Sequence, residues 1–112
     1  MSKRNDQELL ADIQEAIKRI QDYVKNIDRV QFMKDLKTQD AVVRNLEIIG
    51  EAVKNVSKNL QSKHKEIAWK DLAKVRDKLV HHYFGVNFDI VWNIIEESLS
   101  KIAIQINQIS TE

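Results

Sequence analysis

Apolar residues recur at three- and four-residue intervals along most of the chain, and no window alternates with the period of two that a half-buried strand requires. The first stripe, Leu9, Ile13, Ile17, Ile20, Val24 and Ile27, predicts a helix from Asp6 to about Asn26. Asp28 is placed to cap a short helical turn carrying Val30, Phe32 and Met33. Thr38 then caps a second long helix reaching about Leu60, with Val42, Leu46, Ile49, Val53, Val56 and Leu60 on one face. Residues 61–66 are polar and read as a connector. A third helix begins near Trp69 and carries Leu72, Val75 and Leu79, and Gly85 is placed to end it. Asn87 caps a last helix that buries Val91, Ile94, Ile95, Leu99, Ile102, Ile106 and Ile109.

Breakers are scarce: there is no proline, and only Gly50 and Gly85 occur. The expected architecture is therefore all-α, an antiparallel bundle of four to five helices joined by short loops. The 112 residues make a single domain, 1–112, able to bury about two-thirds of its unfolded surface. Gly50 lies inside the second long helix, where glycine costs about 1 kcal/mol relative to alanine, and close helix–helix approach is the expected reason for it. Trp69 and Trp92 read as core anchors. Apolar residues also spill beyond one seam, as at Ile48 with Ile49, Ile94 with Ile95, and Ile102, Ile104 and Ile106. That surplus points to a second buried surface and hence a homodimer, against wide packing within one subunit.

Composition narrows the chemistry. Without cysteine there is no disulfide, thiolate metal site or cysteine nucleophile, which suits a reducing cytoplasm. The start is polar and no apolar run approaches the roughly 20 residues of a membrane span, so neither a signal peptide nor a membrane segment is expected. The formal net charge is only +1, with 31% charged residues. Between Lys54 and Lys78, however, eight Lys/Arg face three acids. That local field can attract a polyanion although the whole chain is near neutral; an ordinary solvated face is the plainer alternative.

The basic segment leads into Arg76-Asp77-Lys78-Leu79-Val80-His81-His82-Tyr83, the most reactive stretch of the chain. Arginine grips two phosphate oxygens at once, and histidine exchanges protons near neutrality. On an ideal helix each residue turns about 100°, so Tyr83 shares the face of Arg76 while His81 points about 140° away and His82 about 120° the other way. An undistorted helix therefore cannot aim Arg76 and either histidine at one substrate. Either the helix unwinds near His81, or the arginine of one subunit works with a histidine of another. Arginine and histidine without a metal or other cofactor suffice for attack of an RNA 2′-hydroxyl on the adjacent phosphorus. Histidine then supplies general acid–base catalysis and arginine stabilises the phosphorane, leaving a 2′,3′-cyclic phosphate. Other readings of the same residues stay open: an Asp77/His81 metal pair at i, i+4, histidines that cap a helix end, and a half-buried core tyrosine. His64, in the lysine-rich connector, reads as a surface residue. Asp40, Arg44 and Glu47 read as a charge ladder on one helix, with the further option that Glu47 or Glu51 orients Arg76.

Two segments together carry a family resemblance. Arg44-Asn45-Leu46-Glu47-Ile48-Ile49-Gly50-Glu51-Ala52 and Arg76 through Val86, followed by Ile90-Val91-Trp92, resemble the HepT-like toxins of the HEPN superfamily, and the order of elements matches from the first helix through Trp92. The resemblance implies a HEPN-like helical fold and a metal-independent endoribonuclease toxin acting as a homodimer whose two Arg/His motifs share a cleft. It further implies a minimal nucleotidyltransferase antitoxin of the MntA kind that silences the toxin by adding AMP to the motif tyrosine. By position, Arg76 and His81 are then catalytic, with His82, Asp77, Glu47 and Glu51 supporting or alternative. Tyr83 is the modification site, and Lys70, Lys74 and Lys78 contact RNA. Asp77 stands where asparagine is common, His82 stands where glycine is usual, and the prolines common before Trp69 are missing. A non-catalytic helical partner of a nucleotidyltransferase is the alternative function.

Overall fold

A computed structural model describes residues 4–80 and 85–110, and side-chain surroundings for all of these except residues 76, 78–80 and 110. Seven helices and no strand are found among the described residues: α1 Asp6–Tyr23, α2 Arg29–Lys34, α3 Leu36–Asn55, α4 Lys58–Lys63, α5 Trp69–Val80, α6 Phe88–Glu97 and α7 Leu99–Ser110. None of them is long and apolar enough to cross a membrane.

Local chemistry explains the boundaries. Asn5 opens α1 with a capping box, its side chain accepting from the Glu8 N–H while the Glu8 carboxylate accepts from the Asn5 N–H. The helix ends three residues short of the expected Asn26, because Asn26 takes a left-handed φ of 67° that an α-helix cannot continue through. Asp28 caps α2 as expected, again with a capping box, here with Gln31. The cap of α3 is Asp35, not Thr38: its carboxylate accepts from the Thr38 N–H at 3.0 Å and from the Thr38 hydroxyl at 2.6 Å. These bonds hold the Asp35 carboxyl below its usual pKa of 3.8.

The second long helix of the sequence reading is two helices. Val56 is extended, Ser57 caps α4, and Asp6 at the start of α1 accepts from both the N–H and the hydroxyl of Ser57. The polar connector 61–66 is correspondingly half helical. The last expected helix is likewise interrupted, at Ser98, between α6 and α7.

α3 is the central element. It packs most extensively on α1 and next on α5; α7 covers α1 and α6, and α2 bridges α3 and α6. The core holds Ile13, Ile17, Ile20, Phe32, Val42, Leu46, Ile49, Val53, Val91, Leu99 and Ile106, all almost fully buried. Both tryptophans are buried, and Trp92 packs on Phe32 with ring centroids 5.1 Å apart. Gly50 is buried midway along α3. Of the apolar surplus, Ile48, Ile94 and Ile95 are half-buried and Ile104 is 62% exposed.

Candidate functional site

The candidate site is built on α5. Trp69, Leu72 and Val75 seat this helix in the core, and the indole N–H of Trp69 donates to the His64 carbonyl at 2.9 Å, fixing its first turn. His64 is consequently not a surface residue. Its side chain is 13% exposed, with Nδ1 3.5 Å from a Glu66 carboxylate oxygen, because the turn between α4 and α5 folds over Trp69. Val53 of α3 and Trp69 of α5 line one groove, so the chain reverses through α4 and α5 returns antiparallel along α3.

Arg76 and Asp77 lie in the second half of α5. The Asp77 side chain is exposed; the side chains of Arg76 and Lys78 are outside the described residues, as are His81, His82 and Tyr83 altogether. The described chain continues at Gly85, whose φ of +108° lies in the region that only glycine enters at little cost. Lys70 and Lys74 are exposed along α5. At 1.5 Å per residue, Lys70 precedes Arg76 by about 9 Å along the helix axis.

Glu47 and Glu51 are one helical turn apart on α3 and line a cavity of about 840 Å³ with Arg44, Lys54, Arg4 and Asp12. The described walls of this cavity are α1 and α3, not α5. Arg4 is bidentate on Asp12 at 2.7 and 2.8 Å, which raises the arginine pKa further and neutralises the carboxylate locally. Neither Asp40 nor Glu47 forms a salt bridge with Arg44 among the described residues, so the expected charge ladder is not a set of direct pairs there. On the opposite side of α3 sits Asn45, 95% buried, whose side-chain N–H donates to the Ala41 carbonyl at 2.9 Å. Among the described residues its Oδ1 has no hydrogen-bond partner. No three potential ligands from His, Asp and Glu come together among the described residues.

Sequence comparison is decisive for the family. The model of the HepT-like family, described as ribonuclease HepT-like, matches residues 13–109. The chain belongs to the HepT-like family. A Methanocaldococcus jannaschii protein whose name marks it as an RNase is 46% identical over 95 residues, covering 85% of this chain and 78% of its own length. A Thermococcus cleftensis protein named a probable ribonuclease HepT is 43% identical over 100 residues, covering 89% of this chain and 91% of its own. The fold matches a Shewanella oneidensis HEPN toxin, solved tri-AMPylated and in complex with an MNT antitoxin. That match has a TM-score of 0.69 and 26% identity, over 97% of this chain and 100% of that one. HEPN membership and the all-helical HepT-like fold thus follow from both sequence and structure.

Three lysines of the basic segment are brought together by the fold in a way the sequence does not show. Lys54, Lys58 and Lys65 come from α3, α4 and the following turn, yet they border the same groove as Lys70. The signal was present as a local charge excess; what the sequence lacked was the reversal through α4 that gathers these side chains.

Proposed function

We propose that this HepT-like chain is a metal-independent endoribonuclease toxin, with Arg76 holding the scissile phosphate and His81 moving the proton of the ribose 2′-hydroxyl. The family match through residues 13–109 carries this reading, since it spans α5, the Arg76–Tyr83 stretch and the Arg44–Ala52 segment of α3. The chemistry needs no resident cofactor. The base removes the 2′-hydroxyl proton, the 2′-oxygen attacks phosphorus, the bond to the 5′-oxygen breaks, and that oxygen takes up a proton from the conjugate acid. The arginine cation stabilises the charge on the phosphorane oxygens. Asp77, with its exposed carboxylate, is the supporting group next to Arg76 in the sequence, and His82 is the alternative base. The structural relative's antitoxin complex supports a minimal nucleotidyltransferase as partner, with Tyr83 as the AMP acceptor.

Purified protein is expected to cut RNA equally with and without EDTA, and Arg76→Ala to lose at least about 100-fold in kcat. Cleavage abolished by EDTA contradicts the metal-free mechanism. The reading of a non-catalytic nucleotidyltransferase partner predicts instead that Arg76→Ala and His81→Ala both still arrest growth.

A further inference from the structure

The groove at the junction of α3, α4 and α5 has a composition that packing does not explain. Its volume is about 580 Å³, and its rim carries Lys54, Lys58, Lys65 and Lys70 against one carboxylate, Asp71. All four lysines are exposed. The four ammonium groups come from three consecutive helices and a turn, so they are gathered by the fold and not merely by one helix face. Four lysines against one carboxylate leave the groove net positive, and a polyanion can occupy it by displacing bound counterions.

We infer that this groove is a secondary binding site for the sugar–phosphate backbone of single-stranded RNA, built from residues other than the Arg76–Tyr83 stretch. The inference rests on the ribonuclease reading for the choice of RNA as ligand, though binding itself is tested without cleavage. RNA is favoured over an acidic protein segment because the lysines lie on three helices and a turn around one open groove, a spread that a flexible polyanionic backbone can follow, and the ribonuclease reading supplies RNA as that polyanion. The contacts go to phosphates, so the groove confers affinity without sequence preference.

The test compares wild type with the variant Lys54→Gln/Lys58→Gln/Lys65→Gln. A control variant, Lys25→Gln/Lys34→Gln/Lys101→Gln, removes the same charge from exposed positions elsewhere. Binding is read by fluorescence anisotropy with a labelled 2′-O-methyl oligonucleotide, which lacks the attacking hydroxyl and so reports affinity without cleavage. For a single strand each phosphate contact contributes about 0.7 to the slope of log K against log salt, so the groove variant is expected to lose about 2 in slope and at least about tenfold in affinity. On cleavable RNA its KM is expected to rise about tenfold with kcat within about twofold. Equal weakening in both variants, or none in the groove variant, overturns the inference. So does a groove variant that keeps RNA affinity but no longer co-purifies with its nucleotidyltransferase, which makes the groove a protein-docking surface. Wild type that binds the oligonucleotide with this lysine dependence yet cuts no RNA leaves the groove standing and sinks the ribonuclease reading instead.

Discussion

Single residues in this fold make unusually direct predictions where one bond or one torsion carries the effect. Asp35 is the clearest. Its carboxylate caps α3 by accepting twice from Thr38, and its pKa is lowered by those bonds. A depressed folded-state pKa stabilises the protein above the unfolded value near 3.8 and loses that contribution as pH falls through the folded value. Wild type should therefore melt above Asp35→Ala at pH 6, and the gap should narrow as the pH falls below 3.8 toward the lowered folded-state value. A gap independent of pH would mean that the carboxylate charge is not what caps the helix. Among the described residues a Cβ at Gly85 meets nothing within 4 Å, but φ is +108°. Gly85→Ala should cost about 1–2 kcal/mol in urea melts, and an unchanged midpoint would show that the turn relaxes freely. Asn45 carries a buried acceptor with no partner among the described residues. Replacing it by leucine, close in shape, removes the unpartnered acceptor together with the donation to the Ala41 carbonyl, and that carbonyl stays within the α3 backbone ladder, so the melting temperature should be equal or higher. A drop of several degrees would show that Oδ1 has a structural partner beyond the described residues.

At the scale of elements, the periodicity marks the core-facing side of the long helices among the described residues, though Ile94 and Ile95 are only half-buried and Ile67 is buried outside any stripe, and it does not mark every break. The spacing of Val53, Val56 and Leu60 continues through the end of α3, with Val53 buried before it and Val56 buried and Leu60 half-buried after it. Hydrophobic pattern reports which residues face the core, and both sides of the break do. The interruption itself is a matter of capping, made visible by Ser57 and its bonds to Asp6, a residue 51 positions away. The same holds at Ser98, where Ile95, Leu99 and Ile102 keep their spacing across the interruption between α6 and α7. Long-range bonds of this kind are not legible locally. The candidate site divides along the same line. Arg76, Asp77 and the family motif could be read directly. The neighbours of Glu47 and Glu51 could not, because they depend on how α1 lies against α3. His64 was misread for a related reason: a polar connector looks solvated until it folds over a tryptophan.

The molecule as a whole is proposed to act as a homodimer, which the helix geometry of the Arg76–Tyr83 stretch makes testable. If the arginine of one subunit works with the histidine of the other, mixing Arg76→Ala with His81→Ala subunits creates heterodimers with one intact composite site. Re-equilibrated one-to-one mixtures should then recover roughly a quarter of wild-type activity, as half the dimers are mixed and each has one of two sites. No recovery, in a mixture verified to contain heterodimers, would place arginine and histidine of one subunit in the same site. The partly exposed isoleucines are the apolar surface available for such an assembly.

The ends left on the RNA fragments report which chemistry cuts the chain. Wild type and His81→Ala are incubated with tRNA and mRNA in EDTA, and the fragment termini are mapped. Wild type should leave 2′,3′-cyclic phosphate and 5′-hydroxyl ends, with the rate in His81→Ala lower by about 10²–10⁴. Fragments ending in 3′-hydroxyl and 5′-phosphate, or cleavage undiminished in His81→Ala, would contradict 2′-hydroxyl attack assisted by His81.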